Sequence, residues 1–526
     1  MMRFVFYIFA FMSLSFTYFL HHFWPGAIYL LYFLVPIILV GFYDILSVRH
    51  TILRNYPVLG HLRYLLEYIR PEIQQYFIAS DHSEKPYSRE IRNIVYQRSK
   101  NVNDTVPFGT KQSINEIGFE FLEQSLKPKS FPLEQTRVII GGPQCKKPYS
   151  ASILNISAMS FGALSYTAIK ALNNGAKLSH CYHNTGEGGI SPYHLCGGDL
   201  VWQIGTAYFG CRNRDGTFDP KEFAKKAVSP EIKMIELKLS QGAKPSHGGI
   251  LPKEKITKEI SMIRGIPMGE DCDSPPAHSA FDTPIEMMEF IAELRKLSAG
   301  KPVGFKLAIG KPEEFMSICK AMIKTKIYPD FITVDGSEGG TGAAPLEFTN
   351  RLGKTINEAL IFVHSCLVGI GARKNIKVIA SGKIATGFDL IAKLCIGADL
   401  CNCARTMMFA LGCIQSLSCN TNKCPTGVAT QNPFRARGLN VQDKSIRVSN
   451  YHKNTIKSFR ELVGALGIDK IEMLSPALLH RRETNSVSKS YSDLYDFIHD
   501  SCLINKKSKI PETYARYWKL ASAEQF

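Results

Sequence analysis

DFITVDGSEGGTG (residues 330–342) is a short apolar run rich in β-branched residues that ends in a glycine-rich loop. A fully buried strand of a parallel sheet has this pattern, because helices cover both of its faces. Similar runs recur along the chain, and segments with helical character separate them. The candidate strands are residues 152–158, 179–185, 200–206, 234–240, 302–309, 330–336, 377–382 and 399–404.

Eight strands that alternate with helices predict an α/β fold, the (β/α)8 or TIM barrel. A doubly wound open sheet is the alternative. Glycine clusters follow almost every candidate strand, and in a barrel such loops share one face and build one site. An open sheet would need them only at its switch point. The recurring glycines therefore favour the barrel.

The chain has 526 residues, fourteen cysteines and a formal net charge of +17. Its length accommodates a barrel of about 250 residues with extensions. The cysteines follow no regular secreted pattern, which fits a reducing compartment. Because no long basic run and no nucleic-acid motif accompanies the charge, we expect no nucleic-acid partner. Anionic ligands and a nearby membrane explain the charge better.

The N-terminal region carries two uncharged apolar runs, residues 4–20 and 27–43, joined by a turn that contains Trp24. Each run has the minimum length that can span a bilayer. Basic residues flank the pair on one side: Arg3, Arg49 and Arg54. The positive-inside rule then predicts a transmembrane helical hairpin with both ends, and the barrel, in the cytoplasm. A cleaved signal peptide is the weaker alternative, because no small-x-small cleavage site follows the first run.

The chain divides by pattern into a transmembrane hairpin (1–45), a helical linker region (46–150), the barrel (151–435) and a helical C-terminal extension (436–526). Within the linker, apolar residues recur at helical spacing from Leu62 to Phe77. Such a helix either packs on the barrel, which is the simpler interpretation, or lies on the membrane surface as an amphipathic segment.

Three cysteines, Cys413, Cys419 and Cys424, lie within twelve residues and are followed by Pro425. Closely spaced thiolates in an intracellular chain indicate a metal or iron–sulfur centre more than a disulfide scaffold. Such a centre beside a barrel predicts electron transfer.

Lys238 lies in the middle of an apolar strand run, where an ammonium costs desolvation energy unless it has an anionic partner. It is either a salt-bridged core lysine or a functional cation. The loops after the last two strands contain Gly382, Lys383 and Arg405, which suit a phosphate monoester. Phosphate site, buried lysine and adjacent cysteines together suggest FMN.

Six longer motifs occur in order along the predicted barrel. They are ISAMSFGALS (156–165), NTGEGG (184–189), QIGTAYFG (203–210), ELKLSQGAKPSHGG (236–249), EGGTGAAP (338–345) and GCIQSLSCNTNKCPTGVATQ (412–431). These motifs resemble the FMN-binding synthase domain of the glutamate synthase family. More narrowly, the chain resembles the stand-alone, membrane-tethered proteins of that family.

The resemblance implies an oxidoreductase acting on CH–NH2 donors, with FMN and a 3Fe-4S cluster. Reduced flavin would deliver hydride to 2-iminoglutarate, formed from 2-oxoglutarate and ammonia, and L-glutamate would result. By motif, the cluster ligands would be Cys413, Cys419 and Cys424; the flavin ring would face Ala158, Met159 and Ser160, with Gln203 at its polar edge; flavin and phosphate would meet Gly340, Thr341, Gly342, Gly382 and Lys383; Lys238 would contact flavin and substrate; Glu187 would transfer protons; and Gln241 and Lys244 would bind substrate.

The chain also departs from the family pattern. About 100 residues separate the hairpin from the barrel, so we expect no glutaminase domain here. The lysine loop has Ser246 and His247 in place of Gly-Glu, Glu338 replaces an aspartate, and Arg405 stands in a strand-8 motif that is usually GTA. No Rossmann fingerprint is present, which favours ferredoxin or a separate NAD(P)H reductase subunit as electron donor. A membrane-linked flavin dehydrogenase of another amino or hydroxy acid, and a non-catalytic electron-transfer subunit, remain alternatives.

Overall fold

The computed structural model describes residues 2–47, 50–102, 105–505 and 508–526. The chain forms two compact units, Met1–Glu90 and Ile91–Phe526. Arg49, one of the arginines used to orient the predicted hairpin, lies outside the described residues.

The first unit is helical. Its elements are α1 (Met2–Phe23), a 3-10 helix (Pro25–Leu30), α2 (Leu31–Leu46), α3 (Thr51–Asn55), α4 (Gly60–Ile73) and a π-helical turn (Gln74–Ile78). The Phe6 ring packs closely on Gly41: a Cβ atom added at Gly41 would lie 2.1 Å from the ring of Phe6. Met2–Phe23 and Pro25–Leu46 each have 22 residues and are apolar enough to cross a membrane.

Asp44, near the end of α2, is fully buried and fixes the segment that follows. Its carboxylate accepts hydrogen bonds from the backbone N–H of Val58 at 2.9 Å and from Nε2 of His61 at 2.9 Å. Arg3, at the start of α1, donates to the carbonyl oxygen of Arg54 at 2.7 Å. Hydrogen bonds therefore join the start of α1 to α3 and the end of α2 to α4.

The second unit contains the predicted closed parallel barrel of eight strands. They are β1 (Leu154–Ile156), β2 (Tyr182–Asn184), β3 (Asp199–Ile204), β4 (Ile232–Lys238), β5 (Val303–Leu307), β6 (Phe331–Asp335), β7 (Lys377–Ser381) and β8 (Leu400–Cys403). Neighbours in sequence are neighbours in the barrel, and β8 closes it by pairing Cys403 with Ile156. The sequence prediction of fold class is confirmed.

Helices surround the barrel and form much of the C-terminal extension. In this unit they are α5 (Arg89–Lys100, which begins at the boundary), α6 (Tyr166–Ser179), α7 (Pro220–Ala227), α8 (Lys258–Arg264), α9 (Pro284–Leu297), α10 (Pro312–Thr325), α11 (Leu346–Arg351), α12 (Ile356–Gly369), α13 (Gly387–Cys395), α14 (Arg405–Ala410), α15 (Pro433–Arg437), α16 (Val441–Ala465), α17 (Tyr491–Leu494) and α18 (Glu512–Leu520). The extension packs on the barrel helices: α16 lies against α6 and α13, and α18 lies against α10.

An antiparallel hairpin, Arg137–Ile140 with Tyr149–Ser152, closes the amino end of the barrel. Ile140 and Ala151 from this hairpin join one buried cluster with residues near the starts of the strands, among them Tyr182 and Phe331. Two small sheets complete the fold: Glu120–Leu122 with Leu479–Arg482 and Ser488–Ser490, and Ile250–Leu251 with Cys272–Asp273. Because the amino end is filled, the carboxyl end is where a ligand can enter.

Candidate active site

The last residue of β4, Lys238, forms a buried ion pair with Glu187 in the loop after β2. Its Nζ lies 2.5 Å from Oε1 of Glu187, and the lysine is 7% exposed. The anionic partner that the sequence required for this lysine is therefore present. Both residues lie at the carboxyl end of the barrel, where the catalytic residues of such folds come from.

Two further cations, Lys244 and Arg264, act on the same carboxylate. Burial alone would raise the pKa of Glu187, but the charges of Lys238, Lys244 and Arg264 outweigh it and hold the pKa below its usual value. Burial lowers the pKa of Lys244 to about 8, against the attraction of Glu187. Glu187 is therefore ionised at neutral pH, whereas Lys244 exchanges its proton near physiological pH.

Two glycines make room for the Glu187 side chain. A Cβ atom at Gly205 would lie 2.6 Å from Oε2 of Glu187, and one at Gly249 would lie 2.7 Å from Oε1. Contacts that short do not occur between real side chains. Gly205 and Gly249 are required for the position of the carboxylate, and the sequence had indicated them only as members of longer motifs.

Arg264, the last residue of α8, is a site residue that the sequence reasoning missed. It is buried, and its Nη2 donates to the carbonyl oxygen of Phe161 at 3.3 Å. Its Nε has no hydrogen-bond partner within the described part of the chain. An arginine near the end of a short amphipathic helix normally faces solvent, so the sequence gave no signal for its burial.

A polar layer lies one step deeper in the barrel, around Glu236. The carboxylate accepts hydrogen bonds from Asn184 Nδ2 at 2.7 Å, Gln203 Nε2 at 2.7 Å and Thr333 Oγ1 at 2.6 Å. Gln203, assigned by resemblance to the polar edge of a flavin, is thus placed beside Glu236. Its amide nitrogen already donates a hydrogen bond to the Glu236 carboxylate.

Lys306 and Asp335 form a second buried ion pair that the sequence reasoning also missed. Nζ of Lys306 lies 3.3 Å from Oδ2 of Asp335, which in addition accepts the backbone N–H of Gly242 at 2.8 Å. The pair joins β5 and the end of β6 to the loop that carries Lys244. It fixes the height of that loop above the barrel.

The residues assigned to the phosphate lie in the loops after β6, β7 and β8, and Arg405 from the last loop contacts the first. The Arg405 guanidinium lies over Gly340, where a Cβ atom would be 2.6 Å from its Nε, and it donates to the carbonyl oxygen of Glu338. Gln241 Nε2 lies 3.5 Å from Thr341 Oγ1. Gly342 is exposed in the loop after β6; in the loop after β7, Gly382 is buried, Lys383 is exposed, and both have positive φ.

The Glu338 substitution has a structural explanation. Its carboxylate accepts the backbone N–H of Ile356, the first residue of α12, at 3.0 Å. A carboxylate at this position stabilises a helix N-terminus. Glu338 therefore anchors the glycine-rich loop to α12.

The residues assigned to the flavin ring follow β1 directly. Met159 is buried, and Ala158 and Ser160 are half-buried. A Cβ atom at Gly186 would lie 2.8 Å from the backbone nitrogen of Ser160, so this loop and the Glu187 loop meet backbone to backbone.

The cysteine segment presents three thiols that interact electrostatically with one another. Burial alone would raise the pKa of Cys424, but hydrogen bonds from the Thr426 hydroxyl and from backbone N–H groups of residues 426, 428 and 429 lower it below its usual value. Burial raises the pKa of Cys413 to about 12. The hydroxyl and N–H donors around Cys424 stabilise its thiolate, the form that binds metal.

Among the described residues, no three Cys, His, Asp or Glu side chains form a group that could hold a single metal ion. The hydrogen bonds around Cys424 nevertheless favour a thiolate, which is the form that a cysteine ligand takes.

The cysteine segment is hydrogen bonded to the loop after β1. Ser165 Oγ donates to the carbonyl oxygen of Gly427 at 2.7 Å, and Gln431 Nε2 donates to that of Leu164 at 2.7 Å. The buried Lys255 joins the two segments: its Nζ donates to the carbonyl oxygens of Ala163 at 2.5 Å and Cys419 at 3.1 Å.

Comparison with known proteins identifies the family. Residues 92–469 match the sequence model described as "conserved region in glutamate synthase". The chain belongs to the glutamate synthase family. A member from Bacillus subtilis strain 168, named glutamate synthase large subunit-like protein YerD, is 36% identical over 510 residues, covering 88% of this chain and 97% of that protein.

A second family member is the archaeal glutamate synthase (NADPH) of Methanocaldococcus jannaschii, 32% identical over 364 residues, which cover 68% of this chain and 67% of that protein. Among solved structures, a mandelate oxidase variant with (S)-mandelic acid aligns over 70% of this chain and 86% of the oxidase chain. The sequence identity is 13% and the TM-score is 0.41, so the likeness is distant. The family assignment makes this glutamate synthase-type chain an oxidoreductase.

Proposed function

We propose that the chain reduces 2-iminoglutarate, formed from 2-oxoglutarate and ammonia, to L-glutamate with FMN and a 3Fe-4S cluster. The observation that carries the proposal is the charge balance at the barrel mouth. Three buried cations, Lys238, Lys244 and Arg264, surround the single carboxylate of Glu187. This local excess of positive charge suits an anionic substrate such as a dicarboxylate.

Bound FMN would supply a hydride to the electrophilic carbon of the substrate. The loops after β6, β7 and β8 fit its phosphate, because they combine accessible backbone at Gly340 and Gly342 with the cations of Lys383 and Arg405. Ala158, Met159 and Ser160 would lie along the ring.

Within this site the protein's own groups handle charge and protons. Glu187 stays ionised and holds the ammonium of Lys238 in place beside the substrate. Lys244, whose pKa lies near 8, is a suitable proton donor to the nitrogen that becomes the amine. Arg264, with a free Nε, and Gln241 would bind the substrate carboxylates.

The 3Fe-4S cluster would supply single electrons from an external donor, and Cys413, Cys419 and Cys424 would hold it. The surface beside these cysteines is apolar and basic. Phe434 is 83% exposed and Leu417 is 67% exposed. They are accompanied by exposed cations: Lys423, Arg435 and Arg437. This surface suits a small acidic carrier such as ferredoxin, or a separate NAD(P)H reductase subunit.

We further propose that the two apolar helices span a membrane as a hairpin and that the barrel faces the cytoplasm. In this division, residues 1–45 form the hairpin, 46–150 the linker region, 151–435 the catalytic barrel and 436–526 the extension. The length and composition of the helices support the hairpin.

The test is anaerobic purification followed by assays of FMN, iron and sulfide. The reduced protein should reoxidise its flavin on addition of 2-oxoglutarate with ammonium, and should do so much more slowly with glutamine as nitrogen source. Reoxidation that needs neither substrate, or flavin reduction by an unrelated amino or hydroxy acid, would contradict the proposal.

A further inference from the structure

The apolar face of α4 and its following turn is uncovered. Leu62 is 58% exposed, Leu65 and Leu66 are about as exposed, and Phe77 is 84% exposed. These residues recur at helical spacing along residues 60–78, so they form one continuous stripe. Soluble proteins rarely leave an apolar surface of this extent open to water.

A charged face adjoins this stripe on the same helix. Arg63, Glu67 and Arg70 are exposed, and Glu67 lies within 3.5 Å of Arg63 and 3.9 Å of Arg70. A charged face beside a stripe of leucines, isoleucines and aromatic residues is the pattern of helices that lie in the plane of a membrane surface.

The position of α4 on the hairpin identifies what covers the stripe. His61, in the first turn of α4, and Val58 are both hydrogen bonded to Asp44 near the end of α2. A spanning helix ends at the boundary between lipid and water. The α4 helix therefore begins at that boundary, where lipid headgroups and acyl chains are its nearest apolar neighbours.

We propose that residues 59–78 form an amphipathic membrane-surface helix whose leucine stripe is buried in the lipid interface. The occupant of the stripe is the same bilayer that the hairpin spans, so this inference rests on the proposed membrane location. Arg63 and Arg70 at the edge of the stripe extend their charged ends to the phosphates. The chain then holds the membrane by a surface contact as well as by the hairpin.

The test is depth-dependent fluorescence quenching by brominated phospholipids, with the full chain in lipid nanodiscs. The sequence has three tryptophans. The Trp24→Phe variant removes the hairpin tryptophan and serves as the blank for Leu62→Trp and, on the charged face, Glu67→Trp. We expect the added tryptophan at position 62 to be quenched at least twofold more strongly than the one at position 67.

Equal quenching at the two positions, or stronger quenching at position 67, would overturn the proposal. Trp24 of the unsubstituted chain, in the turn between the two apolar helices, reports separately on the hairpin. If Trp24 is quenched and position 62 is not, the surface helix is wrong and the hairpin stands. If neither is quenched, both are wrong.

Discussion

The ammonium of Lys238 lies 2.5 Å from Glu187 Oε1 and joins the end of β4 to the loop after β2. Both groups are largely withdrawn from water. Removal of one member of a buried pair leaves the other charge without compensation, which costs more than the pair itself contributes.

Replacement of Lys238 by methionine tests the pair. Lys238→Met should reduce turnover about 100-fold or more, because the positive charge beside the substrate is lost. The pKa of Glu187 should rise for the same reason. Steady-state kinetics with FMN content measured in parallel checks this. Lys301→Met is the matched control, since Lys301 is also buried but lies at the amino end of β5. Equal loss of turnover in both variants would contradict the role of Lys238.

Gly205→Ala should displace Glu187 without changing any charge. The new methyl group would lie 2.6 Å from Oε2 and 2.7 Å from Cβ of Glu187, so the carboxylate must move away from Lys238. We expect a loss of turnover comparable with that of Lys238→Met and a retained fold by circular dichroism. At Gly310 an added Cβ meets nothing within 4 Å, so Gly310→Ala should leave turnover unchanged. A fully active Gly205→Ala enzyme would disprove the geometry.

The proton-donor role proposed for Lys244 predicts a pH limit. Because its pKa is about 8, the ammonium is present below that pH and is lost above it. The rate of flavin reoxidation by 2-oxoglutarate and ammonium should therefore fall as pH rises through about 8. Lys244→Arg keeps the charge at all accessible pH values but cannot give up its proton. We expect this variant to bind 2-oxoglutarate and to lose both turnover and the alkaline limb. An unchanged limb would assign that pKa to another group.

Cys424→Ala should remove the proposed iron–sulfur centre. The thiolate favoured by the surrounding N–H groups is lost, and two cysteines do not hold a cluster that needs three. Iron and sulfide per chain should fall close to zero while FMN remains. Cys319→Ala is the control, because Cys319 is a buried thiol of α10 outside the cysteine segment. Full iron content in Cys424→Ala would exclude this residue as a ligand.

Lys255→Met should uncouple the cysteine segment from the loop after β1. Two carbonyl oxygens lose their donor, so the free energy of unfolding should fall by about 2 kcal/mol. FMN content should stay constant, whereas flavin reduction by a one-electron donor should slow. The exposed neighbour Lys253 supplies the control, Lys253→Met. If stability falls but stopped-flow reduction of the flavin is unaffected, Lys255 has only a structural role.

Much of the fold could be predicted because each barrel strand is buried on both sides and is therefore apolar throughout. The predicted strands 330–336 and 377–382 correspond to Phe331–Asp335 and Lys377–Ser381. The prediction for 152–158 was longer than the observed Leu154–Ile156. Ser152 belongs to the hairpin at the amino end, and Ser157 donates to the carbonyl oxygen of Cys403 before the chain leaves the sheet. The sequence pattern reports burial, which these flanking residues share with the strand.

The site could be predicted only in part, because its pairs form between distant loops. Lys238 needed an anion, but its partner lies 51 residues earlier and is brought there by the meeting of two loops. Lys306 and Asp335 lie in separate apolar runs, and nothing in either run predicts that the two side chains form an ion pair. Arg264 ends a short helix, and only the tertiary structure shows that it is buried.

The pairing of Cys403 with Ile156 has a consequence for biogenesis. Of the eight barrel strands, the ribosome makes β1, which leads to the loop proposed to face the flavin, first, and β8, which leads to the cysteines, last. The segments proposed to hold the flavin and the cluster come together only when these strands pair. Electron transfer between the proposed cofactors would therefore begin only in the finished barrel.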